Sequence, residues 1–144
     1  MVCDLPDVNV WLALLNRQHP HHSVAKAYWD SATGQRISFC RITILGLLRL
    51  STNKAVMGGT PYTPLQAWQA YQAVIVLPEI SFAPEPSGVE IAMQKLTCLP
   101  KPRLADWTDA YLAAFASLAG LRMVSFDKGF KQYGKLNLLM LQVP

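Results

Sequence analysis

Long hydrophobic runs, signal-peptide features and blocks of like charge are all missing from this sequence of 144 residues. No apolar run approaches the roughly 18 residues that a membrane-spanning helix needs, so we expect no association with a membrane. The N-terminus lacks the basic start and the small-residue cleavage site of a secretory signal peptide. The net charge of +4 permits a polyanionic partner. Without a block of consecutive basic residues, it does not demonstrate one.

Cysteines are few and are poorly spaced for cross-linking or metal binding. The three of them, Cys3, Cys40 and Cys98, lie far apart and form no C-x-x-C pair. An odd number of widely separated cysteines argues against a disulfide framework and against a zinc site. We therefore expect reduced thiols and a cytoplasmic location.

Acidic residues are also scarce, and their positions are more informative than their number. Only nine occur, the three glutamates all lie within 79–90, and no acid falls between Ser31 and Leu77. The other six acids are aspartates, mostly at the ends of predicted helices and strands. With so few acids, an aspartate beside the end of a strand is less readily explained as ordinary solvated surface.

Short apolar segments alternate with amphipathic ones along the chain, which predicts strands that alternate with helices. Strands are expected at residues 2–5, 37–40, 80–82, 122–126 and 138–141. Helices are expected at residues 10–15, 24 to about 34, 43–50, 64–75, 87–96 and 107–119, and loops at 18–22, 53–60 and 99–102. This alternation is typical of an α/β protein with parallel strands. No repeat or linker divides the chain, so we expect one domain over residues 1–144.

Residues 103–130 carry the clearest pattern, a helix that is followed by a short strand and a turn. The apolar residues of the helix recur at helical spacing, and Asp106 or Thr108 is the candidate N-cap. Asp109 is expected in the first turn of this helix, and Asp127 begins the turn after the strand. Both carboxylates are therefore expected near one end of a strand.

Asp7 follows the first predicted strand, so it joins Asp109 and Asp127 at the carboxyl edge of a parallel sheet, where ligands bind in such folds. Two interpretations remain open. Clustered carboxylates suit Mg²⁺ or Mn²⁺, which could activate water for attack on a phosphodiester. Aspartates are also common at helix starts and in turns, where they accept hydrogen bonds from free N–H groups, and Asp106 with Asp109 could form an acidic capping box.

Four segments resemble the PIN-domain ribonucleases, and specifically the VapC-type toxins of toxin–antitoxin pairs. They read LPDVNVWLA at 5–13, TILGLLRL at 43–50, TDAYLAA at 108–114 and VSFDKGF at 124–130. The resemblance implies a three-layer α/β/α fold with a central parallel sheet, a divalent metal, endonucleolytic cleavage of RNA, a homodimer and a cognate antitoxin. It assigns the family's first, third and fourth acids to Asp7, Asp109 and Asp127.

The family's remaining acid, a glutamate in a T-x-x-E register, is absent here. That register gives Thr43 and then Gly46, so metal affinity and catalytic competence are in question. A PIN-like domain that binds RNA or a partner protein without cleavage is the alternative function. Because glycine is about 1 kcal/mol worse than alanine in a helix, we expect Gly46→Glu to be tolerated and to restore the four acids.

Several other residues could support the site, and Thr43 and Asp106 are among them. Asn9 could orient Asp7 or cap the helix that follows. Ser125 could contact the metal or its waters, or be a plain strand hydroxyl. Arg49 could bind phosphate through its guanidinium, or pair with a nearby carboxylate. The helices at 43–51 and 63–76 carry more apolar residues than one buried face needs, which predicts a homodimer interface or an antitoxin groove there.

Overall fold

Five short strands form one parallel sheet at the centre of the protein, whose computed structural model describes residues 3–99 and 106–143. In chain order the strands are β1 (Cys3–Pro6), β2 (Arg36–Phe39), β3 (Ile80–Phe82), β4 (Arg122–Ser125) and β5 (Leu138–Met140). Their order across the sheet is β3-β2-β1-β4-β5, and every neighbouring pair is parallel. β1 is therefore central, and its carboxyl end lies between those of β2 and β4.

Six α-helices cover the two faces of this sheet within the described residues. They are α1 (Val8–Leu15), α2 (His22–Ser31), α3 (Arg41–Ser51), α4 (Pro64–Ile75), α5 (Val89–Thr97) and α6 (Trp107–Ala119). A 3₁₀ helix at Lys128–Gln132 follows β4. No helix in the described ranges is long and apolar enough to cross a membrane.

Side chains that alternate along the strands divide the core into two hydrophobic layers. Val124 of β4 belongs to the cluster that contains Trp11 of α1 and residues from α2 and α3. Met123, its neighbour in the same strand, belongs to the cluster formed with α6, which includes Phe115. Trp11 also stacks on Phe39 of β2, with ring centroids 3.9 Å apart. The predicted three-layer α/β/α fold with a central parallel sheet is thus confirmed.

Most of the predicted elements are present, but some of their ends differ. Cys40 was predicted in the second strand and instead is the N-cap of α3, which starts at Arg41 because Cys40 and Thr43 form a capping box. α5 starts only at Val89, after Gly88. Residue 2 of the first predicted strand lies outside the described residues. The same holds for residues 100–102 of a predicted loop and for residues 103–105, which precede α6.

α6 begins and ends as its sequence predicts. Asp106 is its N-cap, and its side chain accepts a hydrogen bond from the backbone N–H of Asp109. Gly120 is its C-cap with φ of 67°, a left-handed conformation that glycine adopts without a steric penalty. The first turn of α6 is thereby fixed at the edge of the sheet where β1 and β4 end.

A buried ionic network lies at the opposite edge of the sheet, where β1 and β4 start. Asp4 is fully buried and accepts hydrogen bonds from Arg122 Nε at 2.8 Å and Arg122 Nη2 at 3.0 Å. The Tyr28 hydroxyl donates to the same carboxylate at 2.6 Å. A buried charge needs such partners, because leaving one unpaired is strongly unfavourable. The network fixes the starts of the two strands that carry the candidate site at their other ends.

Candidate active site

Asp7 lies immediately after β1, and backbone groups of β4 and of α1 hold it in place. Its N–H donates to the carbonyl of Val124 in β4 at 2.8 Å. Its Oδ1 accepts a hydrogen bond of 2.7 Å from the N–H of Val8, so that Asp7 is the N-cap of α1. The carboxylate is therefore fixed between the central strand and the helix that follows it.

The Ser125 hydroxyl connects the end of β4 to Asp7. It donates to Asp7 Oδ2 at 3.0 Å and accepts from the N–H of Asp127 at 2.9 Å. The Asn9 side chain also reaches this hydroxyl, with Nδ2 3.4 Å from Ser125 Oγ. Asn9 and Ser125, both candidates for site support, thus lie beside Asp7, and Ser125 contacts the Asp7 carboxylate itself, a contact that the sequence did not predict.

Asp109 and Asp106 approach the same place from the start of α6. Asp109 is only 9% exposed. Its N–H donates to Asp106 Oδ1 at 3.1 Å, which forms one half of the predicted capping box. The hydrogen bond places the two acids side by side at the helix N-terminus, where the positive end of the helix dipole favours negative charge.

The carboxylates lie close enough to act on one another electrostatically. Burial, followed by the charges of Asp106, Asp7 and Asp127, raises the pKa of Asp109 to about 7. Burial is also the largest cause that raises the pKa of Asp7, and hydrogen bonds from Val8 and Ser125 oppose it. Among the described residues, the side-chain charges that raise these two pKa values belong to other carboxylates. Their mutual repulsion is unfavourable unless a proton or a cation intervenes.

Tyr133 is a neighbour of this cluster that the sequence pattern did not reveal. Burial, and then the charges of Asp109, Asp106 and Asp127, raise the pKa of its hydroxyl. The residue follows the 3₁₀ helix after β4, where its ring packs edge-on against Phe130. Neither hydrophobic periodicity nor a motif marks such a position, because the contact depends on the path of the 3₁₀ helix.

With the side chains in these positions, the described residues contain no group of three or more His, Cys, Asp or Glu residues spaced to hold a metal ion. Three of the carboxylates instead accept backbone hydrogen bonds, namely those of Asp7, Asp106 and Asp127. The predicted capping role is therefore confirmed for Asp7 and Asp106. The shared metal site stays a prediction, and it requires these side chains to turn.

The ligand types nevertheless fit a hard divalent cation. Carboxylate oxygens are what Mg²⁺ and Mn²⁺ prefer in proteins. The carbonyl oxygen of the Asn9 side chain is buried and, among the described residues, has no hydrogen-bond partner. An unsatisfied oxygen beside repelling carboxylates would be stabilised by a cation or by one of the waters that a cation carries.

Thr43, a candidate for site support, has a structural role in α3, whereas the role of Arg49 stays a prediction. The Thr43 hydroxyl is fully buried, and it accepts from the N–H of Cys40 and donates to the Cys40 carbonyl at 3.0 Å each. Arg49 is exposed in the last turn of α3 and lines a groove with Thr52 and Trp68 of α4. Since Arg49 is eight residues from the start of α3, about 12 Å along the helix axis separate it from the edge of the sheet that carries Asp7.

Gly46 is buried where α3 packs against α1. A Cβ atom at this position would lie 2.5 Å from Val8 Cγ2, which is closer than van der Waals contact allows. Valine is stiff at χ1 and cannot easily turn away. The expectation that Gly46→Glu is tolerated is therefore wrong, because it considered only helix propensity. A glycine inside an otherwise apolar helix was the sequence signal for this close contact.

Comparison with known proteins identifies the family. The family model of the PIN domain matches residues 5–136 of this chain. Ribonuclease VapC41 of Mycobacterium tuberculosis is 40% identical over 142 residues, which cover 95% of this chain and 97% of that protein. The chain belongs to the VapC family of PIN-domain ribonucleases.

Solved structures of VapC proteins share the same architecture at low sequence identity. The crystal structure of Mycobacterium tuberculosis VapC20, a toxin that cleaves the sarcin–ricin loop, has a TM-score of 0.67 and 16% identity over 92% of this chain and 96% of that one. VapBC2 from Rickettsia felis, bound to a DNA fragment from its promoter, has a TM-score of 0.71 and 13% identity over 99% and 100%. At such identities the likeness concerns the fold alone.

The raised pKa of Asp109 predicts how stability depends on pH in this VapC protein. The unfolded chain releases the proton near the usual value of 3.8 and the folded chain only near about 7. The folded state therefore binds more protons between these values, and the free energy of unfolding should fall as the pH rises through them. Asp109→Asn should be more stable than the parent near pH 8 and should lose most of this dependence, with a remainder from Asp7.

Urea unfolding with EDTA between about pH 5 and about pH 8 measures this effect. Asp30→Asn is the matched control, because Asp30 is exposed and, within the part of the chain that the structure describes, its side chain pairs with Lys26 one helical turn away. Equal pH dependence in Asp109→Asn and the parent protein would contradict the clustering of the carboxylates.

The contact between Gly46 and Val8 predicts an unusual effect of alanine. Alanine favours a helix over glycine by about 1 kcal/mol, but overpacking typically costs about 1–3 kcal/mol. We therefore expect Gly46→Ala to destabilise the protein. In the Val8→Ala background the methyl group has room, and the same substitution should stabilise by up to about 1 kcal/mol. Urea unfolding of the four proteins in a double-mutant cycle measures the coupling, and an uncoupled pair would refute the close packing.

Proposed function

We propose that this VapC protein is a metal-dependent endoribonuclease in which Asp7, Asp109 and Asp127 hold Mg²⁺ or Mn²⁺. The observation that carries the proposal is the convergence of these carboxylates at the carboxyl edge of the sheet, where their charges raise the pKa values of Asp7 and Asp109. The family supplies the reaction class, because a relative with 40% identity is a ribonuclease. A bound metal would lower the pKa of a water and stabilise the charge that develops on the phosphodiester.

The residues around the carboxylates would prepare the site for this chemistry. Ser125 and the N–H of Val8 both donate to Asp7 and hold its carboxylate at the end of β1. Asp109 is nearly buried, so its charge is poorly screened by water and depends on a nearby cation or proton. Asn9 presents a buried carbonyl oxygen without a partner among the described residues. These features keep oxygen ligands close together before the cation arrives.

Exposed cationic and aromatic side chains flank the carboxylates and suit a nucleic-acid substrate. Arg41 begins α3, directly after β2, and its guanidinium lies 5.0 Å from the ring centroid of exposed Phe82 at the end of β3. On the other side, exposed Lys128 and Lys131 lie in the 3₁₀ helix that follows Asp127. Cationic groups bind phosphates, and aromatic faces stack on unpaired bases. We therefore propose single-stranded RNA, lying across this edge, as the substrate.

RNA cleavage with purified protein tests the proposal. We expect cleavage with Mn²⁺ or Mg²⁺ and none with EDTA. Asp7→Asn and Asp127→Asn should each reduce the rate by about 100-fold or more, which exceeds the usual effect of losing a supporting group around a metal. Asp30→Asn, which removes one exposed charge near the opposite edge of the sheet, should cleave like the parent protein.

RNA that is bound but never cut would favour the alternative function, an RNA-binding PIN-like domain. The observation that supports this alternative is Gly46, because α3 lacks the acid that the family carries there. Cleavage that persists in EDTA, or in both aspartate variants, would refute the proposed site.

We further propose that a cognate antitoxin covers the outer surface of α3 and α4. This surface is apolar although it faces solvent, since Leu45 is 53%, Leu65 66% and Trp68 47% exposed. Apolar patches of this kind mark protein interfaces. The groove beside Trp68 is lined by Leu48, Arg49 and Ala67, so it offers an apolar floor with one cation. A helical antitoxin segment with apolar residues and an acid would match this surface.

Co-purification with the antitoxin, sought as the product of a neighbouring gene, tests the proposed surface. Trp68→Glu should weaken that complex at least about tenfold, because buried tryptophans commonly dominate interfaces. Its RNA cleavage should not change. Ile91→Glu on α5 is the control, because this exposed side chain lies in the other helical layer. Equal antitoxin affinity in Trp68→Glu and Ile91→Glu would place the interface elsewhere. Light scattering of the purified chain tests separately whether it forms the expected homodimer.

A further inference from the structure

The segment that joins α1 to α2 contains three histidines, and the rings of two of them fix its path. His22 Nδ1 lies 2.7 Å from the carbonyl oxygen of Ala13 in α1, and it donates, since a carbonyl can only accept. His19 Nδ1 accepts a hydrogen bond of 3.0 Å from the backbone N–H of His21. The ring of His21 has no hydrogen bond within the part of the chain that the structure describes, so it is available for another contact.

The His21 ring lies at the edge of the sheet that carries the carboxylates. Its centroid is 5.0 Å from the centroid of the Phe126 ring, and the two planes are inclined by 35°. Phe126 directly follows β4, between Asp127 and Ser125, whose hydroxyl donates to Asp7 at 3.0 Å. His21 is therefore a neighbour of the turn that carries Asp127, although it is distant from that turn in the sequence.

The two nitrogens of the His21 ring have different surroundings. Nδ1 is buried and, among the described residues, lacks a hydrogen-bond partner. A buried polar atom without a partner is unfavourable, and phenylalanine would pack on Phe126 without this cost, so packing alone does not explain an imidazole here. The side chain is nevertheless partly exposed, which leaves Nε2 as the ring nitrogen that can meet a ligand from solvent.

We propose that His21 binds a phosphate of the RNA substrate, beside the phosphate that is cleaved, through its Nε2–H. The inference rests on the proposed function and adds a substrate contact on the side of the carboxylates formed by α1 and α2. A phosphate oxygen only accepts hydrogen bonds, so the ring proton would lie on Nε2 in the complex. Contacts to phosphates position a strand without reading its sequence, so His21 would hold the RNA in place and take no part in the chemistry.

Two substitutions of His21 separate the donor from the ring. His21→Phe keeps an aromatic ring on Phe126 and removes Nε2–H, whereas His21→Gln offers a side-chain N–H at a similar reach. His21→Phe should raise KM for a single-stranded RNA at least about tenfold, the effect of losing a hydrogen bond to a charged group, and should change kcat less than about twofold. His21→Gln should retain most of the parental affinity. Fluorescence anisotropy of labelled RNA in EDTA should show the same order of dissociation constants.

His22→Phe is the matched control, because it should have the opposite effects. It removes the hydrogen bond to Ala13 and should lower the melting temperature by a few degrees while RNA affinity stays parental. His21→Phe should not lower the melting temperature, because it removes a buried nitrogen that has no partner. A lower melting temperature with parental RNA affinity in His21→Phe would overturn the proposal and give His21 a structural role.

Changes in the RNA test whether the contact is to a phosphate. Phosphates near the mapped cleavage site are replaced one at a time by neutral methylphosphonate. One replacement beside the scissile phosphate should weaken binding to the parent about tenfold and have no further effect in His21→Phe. Equal penalties at every position in both proteins would refute the phosphate contact. Weaker binding of RNA to His21→Phe without cleavage by the parent would refute the proposed function alone, whereas cleavage with parental KM in His21→Phe would refute this inference alone.

Discussion

The parallel pairing of β1 with β4 is the constraint on which the candidate site depends. It joins residues from the two ends of the chain, since Asp7 and Ser125 are 118 residues apart and yet share a hydrogen bond. Because both strands end at the same edge, the residue that follows β1 and the turn that follows β4 must meet. The first turn of α6 lies at the same edge, because α6 immediately precedes β4 in the chain. No single segment contains the site.

This arrangement places repulsion where the fold can tolerate it. Carboxylates beside one another disfavour the folded state, but three of these four have a second, local function that opposes the loss. Asp7 and Asp106 cap helices, and Asp127 accepts from the N–H of Gly129 in the turn after β4. Caps contribute about 0.5–2 kcal/mol each. The same side chains can therefore start helices in the absence of metal and remain available to a cation.

Much of the fold and part of the site follow from the sequence, and the division has a physical basis. Helical spacing in α6 and the apolar run of β4 are local properties, so these elements and the positions of Asp109 and Asp127 could be predicted. The contact between Gly46 and Val8 spans 38 positions and depends on how closely two helices pack. Helix propensity contains no such information. For a similar reason the role of Arg49 stays a prediction, because its spacing of six residues from Thr43 places it on a neighbouring turn of α3 but gives no distance to the edge of the sheet.

The ion pair at the start of β1 has a consequence for the carboxylates at its end. Asp4 pairs in register with Arg122, and the same register, continued for three residues, places Asp7 opposite Ser125. A slip of one residue would carry the buried Asp4 carboxylate to the other face of the sheet, away from Tyr28 and Arg122. The network thus fixes the register of β1 against β4 and, with it, the position of Asp7. Charges that repel at one end of the strand cannot separate by sliding, because the opposite charges at the other end hold it in place.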